Sequence, residues 1–253
     1  MQLPWRPGLC KDSFQSRVRW RALLLLGIAA ALLNSCAWLK QENPSLGVPG
    51  VHGGVVSVSE PNAARVGAEI LRQGGNAIDA AAAVQFALNV VEPESSGIGG
   101  GGFMLIYLAK EQRVLAVDSR EKAPAAASPD MFVPFLAHGS SVFSLASTSG
   151  LAVGVPGTLL GVATALDNWG SISLSGALAP AIELAEKGFR IGPSLAENSN
   201  SSRLQNEPGN PAYDEARKVF FPHGSPLVEG EILVQNDLAK TFKLIARHGP
   251  ADF

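Results

Sequence analysis

Glycines supply the first candidate for chemistry. Residues 95–107 read SSGIGGGGFMLIY, and Gly97, Gly99 and Gly102 satisfy the dinucleotide pattern G-x-G-x-x-G. That pattern acts where a strand enters the glycine turn and a helix leaves it, so that the helix N-terminus meets a pyrophosphate. Asp118 even stands at the spacing of a ribose-binding acid. The second candidate is Arg120, in the run Arg120-Glu121-Lys122-Ala123-Pro124. A planar guanidinium grips a carboxylate through parallel charge-assisted hydrogen bonds. From spacing alone, though, Arg120 reads as a surface cation paired with Glu121 or Asp118. His52, His138, His223 and His248 are scattered without metal-ligand spacing, so no metal site is expected. Glu183, Glu186 and Glu197 read as charges on solvated helix faces and are given no catalytic role.

The elements around these residues decide between the readings. Ala63, Val66, Ile70 and Leu71 share one helical face, which Gly74-Gly75 stops. Asn76 is placed to cap the next helix with Asp79 at its third position, and Ala77–Val91 is apolar nearly all round. Glu92-Pro93 ends that helix. Residues 103–108 and 114–117 are apolar on both alternating faces, with 109–112 as a hairpin connection, so a strand pair covered on both sides of a layered α/β architecture is expected. The order is therefore helix, glycine loop, strand, the reverse of what the dinucleotide motif requires. The glycines are better explained by backbone freedom, through φ > 0 turns and a missing Cβ where another segment passes close. Further on, Thr158–Trp169 and 180–187 read as helices, 206–214 as a surface loop, and Asn236 as the cap of a last amphipathic helix carrying Leu238, Phe242 and Ile245.

Composition bounds the class. A chain of 253 residues that is 46% hydrophobic and 17% charged can bury a substantial core. A net charge of -2 offers no cationic footprint for nucleic acid, which is excluded as a partner. Cys10 and Cys36 are the only cysteines, and both precede the globular part, so no disulfide framework is available. Arg17, Arg19 and Arg21 precede the apolar run 22–33, the pattern of a secretory signal, in a run shorter than the roughly 20 residues that span a bilayer. Leu33-Asn34-Ser35-Cys36 then resembles a bacterial lipobox, with Cys36 as the lipidated residue and a membrane tether as the consequence. Ordinary cleavage or an uncleaved anchor is the alternative. The expected organisation is a signal over 1–36, a linker over 37–52 and a globular portion over 53–253.

Six blocks in order carry a more specific signal. GGNAIDAAAAVQFALNVVEP, SSGIGGGGFMLIY, VDSREKAPAAASPDMF, GVPGTLLGVATALDNWG, LAPAIELAEKGF and LVQNDLAKTFKLIARHGPADF together resemble the N-terminal part of the γ-glutamyltranspeptidase large subunit. The resemblance implies an N-terminal-nucleophile hydrolase with an α-β-β-α sandwich, incomplete in this chain. It implies no cofactor. It implies action on glutathione and related γ-glutamyl compounds, while the signal-like run and Cys36 imply an exported protein, periplasmic or membrane-anchored. In that family a threonine at the start of a small subunit forms an acyl-enzyme, and water or an amino acid then takes the glutamyl group. The arginine of R-E-x-A-P binds the substrate α-carboxylate, which assigns that role to Arg120. Thr148, Thr158, Thr164 and Thr241 all lack the Thr-Thr-His context of the nucleophile. The catalytic threonine is thus expected on a partner small subunit, and this chain alone is expected to be inactive. Two alternatives stand beside this: a related acylase for glutaryl-cephalosporins or poly-γ-glutamate, and a non-catalytic exported binding protein.

Overall fold

The computed structural model describes residues 53–136, 149–201, 204 and 211–253. The expected signal, its Cys36 and the linker lie outside the described residues, as do His52, His138 and Thr148. Helix α1 spans Pro61–Arg72. Its N-terminus forms because the Glu60 carboxylate accepts from the N–H groups of Asn62 and Ala63, at 2.6 and 3.0 Å, while Pro61 needs no partner in the first turn. Helix α2 spans Ala77–Val91 and opens with a reciprocal capping box between Asn76 and Asp79, as its sequence suggests. Alanines at 80, 82, 83 and 87 bury most of its circumference, leaving Ala77 and Ala81 exposed.

Two further helices, α3 (Thr158–Trp169) and α4 (Leu174–Lys187), pack against α2. Ala177, Ala181 and Ala185 of α4 are fully buried, so small side chains line the seam and let helix backbones come close. Helix α4 begins earlier than the expected 180–187. Ser173 caps it by accepting from Gly176 N–H at 3.1 Å, and Pro180 sits inside rather than in the first turn. Proline removes only the bond to the Gly176 carbonyl, and burial of the flanking face holds the helix together.

Beyond α4 lie a two-residue strand β3 (Phe189–Arg190), helix α5 (Pro193–Ser201), helix α6 (Asp214–Phe220), strand β4 (Ile232–Leu233) and helix α7 (Asn236–His248). Strands β3 and β4 pair antiparallel. The expected 206–214 loop is described only from 211, where a 3-10 turn at Pro211–Tyr213 leads straight into α6 with Asp214 as its first residue. Gln235 rather than Asn236 stands at the N-cap position of helix α7, and its side chain makes no capping bond. The Gln235 side chain is occupied elsewhere, donating to the Val90 carbonyl at 2.7 Å, while its backbone N–H reaches Ala185. Phe242 of α7 meets Phe86 of α2 edge to face, ring centroids 6.1 Å apart, at the centre of the core.

Strands β1 (Gly102–Leu108) and β2 (Arg113–Ser119) form an antiparallel hairpin in the register Gly102↔Ser119 to Leu108↔Arg113. Side chains directly opposite share a face, so Met104, Ile106 and Val117 point one way and Phe103, Leu105, Tyr107 and Val114 the other. The first face packs inward, with Ile106 buried and β2 against α3. The second is bare: Phe103, Leu105 and Tyr107 are 69%, 76% and 63% exposed. The expected cover on both sides is therefore present on one side only among the described residues.

Candidate functional site

Three segments meet at the end of the hairpin where β1 starts and β2 stops. The glycine loop enters β1, residues 119–122 leave β2, and residues 154–158 enter α3. The Gly100 carbonyl accepts from the N–H groups of Gly157 and Thr158 at 2.9 and 3.0 Å, satisfying otherwise orphaned donors at the start of α3. A Cβ on Gly101 would stand 2.5 Å from the Ser119 carbonyl oxygen and 2.7 Å from the Glu121 nitrogen. That close approach explains the glycine, whereas the anticipated φ > 0 turns do not occur between Gly97 and Gly102. Lys122 and Val155 exchange backbone hydrogen bonds of 3.3 and 2.8 Å, which extends the chain past β2 in strand-like form.

This stitching presents Arg120 at the rim of a cleft of about 460 Å³ that Lys122, Met131, Phe132 and Leu151 also line. The Asp118 carboxylate accepts from the Arg120 backbone N–H at 3.0 Å, so the acid that mimics a ribose ligand in sequence instead shapes the turn. The Arg120 Nε lies 3.2 Å from Oε2 of Glu121, the ion pair that spacing suggested. No described residue holds the two terminal guanidinium nitrogens, and the side chain is 66% exposed. Those nitrogens are the pair that a carboxylate would engage side by side. The same Glu121 Oε2 also abuts the glycine loop at Gly101, where it is buried and its contact with Arg120 is an ion pair rather than an aligned hydrogen bond.

Two polar groups outside the motif support this junction. Ser96 Oγ donates to the Asn89 side-chain oxygen at 2.9 Å, and Gln85 Nε2 reaches the same oxygen at 3.1 Å, tying the start of the glycine loop to α2. Sequence reading missed them. Their signal is the spacing of Gln85 and Asn89, one helical turn apart in a helix that is apolar elsewhere beyond Asp79. Asp79, read as a cap alone, also binds the far loop: Ser171 N–H, the Ser171 hydroxyl and Ile172 N–H all donate to it. Burial pushes the Asp79 carboxyl upward, but these bonds and that of Asn76 outweigh burial and hold it below the ordinary carboxylate value.

Glu183 pairs with Lys187 and Glu186 with Lys243 on exposed surfaces, as solvated faces should, and Glu197 is exposed. Among the described residues no three His, Cys, Asp or Glu side chains converge as a metal site. No described helix is long and apolar enough to cross a membrane.

The model of a family described as gamma-glutamyltranspeptidase matches residues 63–253. The glutathione hydrolase proenzyme of Bacillus subtilis (strain 168) is 52% identical over 201 residues, covering 79% of this chain and 33% of that protein. The glutathione hydrolase proenzyme of Escherichia coli (strain K12) is 41% identical over 200 residues, with the same two coverages of 79% and 33%. The crystal structure of Helicobacter pylori gamma-glutamyltranspeptidase superposes with a TM-score of 0.72 at 40% identity, over 80% of this chain and 56% of that one. This chain thus spans about a third of the length of these curated relatives. The shared fold is the layered α/β fold of N-terminal-nucleophile hydrolases, and the described residues supply helices and two antiparallel strand pairs of it.

Proposed function

Because the chain belongs to the γ-glutamyltranspeptidase family, we propose that it forms the N-terminal part of an enzyme that moves the γ-glutamyl group of glutathione and related amides to water or to an amino acid. The observation that carries this reading is the setting of Arg120: a guanidinium with both terminal nitrogens unengaged, at a cleft, on a backbone held by Asp118 and the bridge to Val155. Its role is to bind and orient. The substrate α-carboxylate docks on Nη1 and Nη2 while Glu121 keeps Nε and so sets the plane of the fork.

Bond breaking falls to a threonine outside the described residues, at the N-terminus of a small subunit. Its α-amino group takes the hydroxyl proton as the oxygen attacks the γ-amide carbon, and the amine leaves with that proton. An ester to the threonine remains, and water or an amino acid amine then displaces it. The small subunit also gives the bare hairpin face its cover, since Phe103, Leu105 and Tyr107 form an apolar surface that a second sheet would bury. Residues 1–36 act as an export signal with Cys36 lipidated, followed by a linker over 37–52, which places the enzyme in the periplasm or on a membrane. Mass spectrometry of the mature N-terminus tests this: a lipid on Cys36 is expected, and an unmodified new N-terminus contradicts it.

Incubating the full-length protein with a γ-glutamyl anilide tests the activity. Release of the aniline, with a glutamyl adduct on one threonine after rapid quench, is the expected result; absence of both rejects the reading.

A further inference from the structure

We propose that Lys122 is a specificity-determining residue, which makes the Arg120 cleft selective for γ-glutamyl donors whose leaving group carries its own carboxylate. The inference rests on the assignment of Arg120 to the α-carboxylate. Residues two apart in an extended segment project to the same side, roughly 6.6 Å apart along the chain. The segment after β2 is extended, as the antiparallel bridge between Lys122 and Val155 requires. Arg120 and Lys122 line one cleft, and Glu121 between them lines it too, its carboxylate lying between the Arg120 Nε and Gly101.

The charges around the cleft are unequal. Glu121 offsets Arg120 at Nε, but Lys122 makes no ion pair with any described residue and is exposed. The site is thus left with a second cation and no second anion. A ligand with two carboxylates answers both cations, and the apolar wall of Met131, Phe132 and Leu151 suits the methylenes between them. A γ-glutamyl dipeptide has this shape: its α-carboxylate sits at one end, and the carboxylate of the departing residue lies just beyond the scissile amide. A flexible lysine, which binds as a point charge, tolerates variation in that second residue better than an arginine fork.

The test compares γ-glutamylglycine with γ-glutamylglycinamide as donors for the full-length protein, reading the ratio of their kcat/KM values. Lys122→Gln is expected to lower that ratio about five-fold, the scale of one exposed charge pair, and Lys122→Arg to preserve it. Arg120→Gln is expected to lower kcat/KM for both donors and leave the ratio intact. An unchanged ratio in Lys122→Gln overturns the proposal for Lys122 while leaving Arg120 in place. Undiminished kcat/KM for both donors in Arg120→Gln removes the assignment on which the proposal rests.

Discussion

The helical block around α2 and the hairpin that carries Arg120 are built on opposite terms. In the block, apolar surfaces are answered within the chain: Phe86 and Phe242 are fully buried against each other, and alanines close the seams. Asp79, though fully buried, receives donors on both oxygens. On the hairpin, an entire strand face is bare and the Arg120 terminal nitrogens are unengaged by any described residue. The block buries most of its apolar side chains within the chain, with the buried, unbonded Asn89 Nδ2 as an exception among its polar groups. The hairpin holds its groups in place but leaves them unsatisfied, as a surface does when a partner and a ligand complete it.

Substitutions break this contrast in graded ways. Phe86→Ala should cost the most, about 3–5 kcal/mol in urea unfolding, because the cavity opens at the centre of the block. Asp79→Asn at neutral pH should cost about 1–3 kcal/mol, since an amide cannot accept from all the converging N–H and O–H donors. The sign of its pH dependence follows from a folded-state pKa lying below the ordinary 3.8. The stabilisation is present above the unfolded value and fades as pH falls through the folded one, so the gap between variant and wild type should narrow below about pH 4. Gly101→Ala should cost about 1–3 kcal/mol, since the backbone of Ser119 and Glu121 must move, and should reduce γ-glutamyl turnover with it. The smallest effect on stability is expected at the bare face. Leu105→Lys should change the unfolding free energy of this chain by no more than about 0.5 kcal/mol, yet weaken co-purification with the small subunit. A large loss of stability there would mean that the face is already covered within the chain.

The same contrast divides what was legible in the sequence from what was not. Local signals placed α2 and the ends of α3 and α7, because Asn76, Asp79, Gly170 and Gly249 act on neighbouring backbone groups. The hairpin followed from two apolar runs around a four-residue connection, residues 109–112. Tertiary forces set the rest. Pro180 signalled a helix start, but packing of Ala177, Leu178 and Ala181 carries α4 through it. Asn236 is a better cap by propensity than Gln235, yet the long-range bond to Val90 puts Gln235 at that position. Apolar residues on both alternating faces led to the expectation of cover on both sides, whereas among the described residues the face of Phe103, Leu105 and Tyr107 is bare. At the candidate site, Arg120 was singled out through the R-E-x-A-P pattern, while the role of Gly101 as a contact point and the Asn89–Ser96 tie depend on segments that meet only in the fold.

The claim at the centre of this account is that Arg120 holds the α-carboxylate of a γ-glutamyl donor. Steady-state kinetics of Arg120→Lys in the full-length protein addresses it most directly. A lysine keeps the charge and loses the fork, so KM for γ-glutamyl donors should rise at least about ten-fold, the scale of a lost charge-assisted hydrogen bond, with the melting temperature unchanged. An unaltered KM in a folded variant would contradict it.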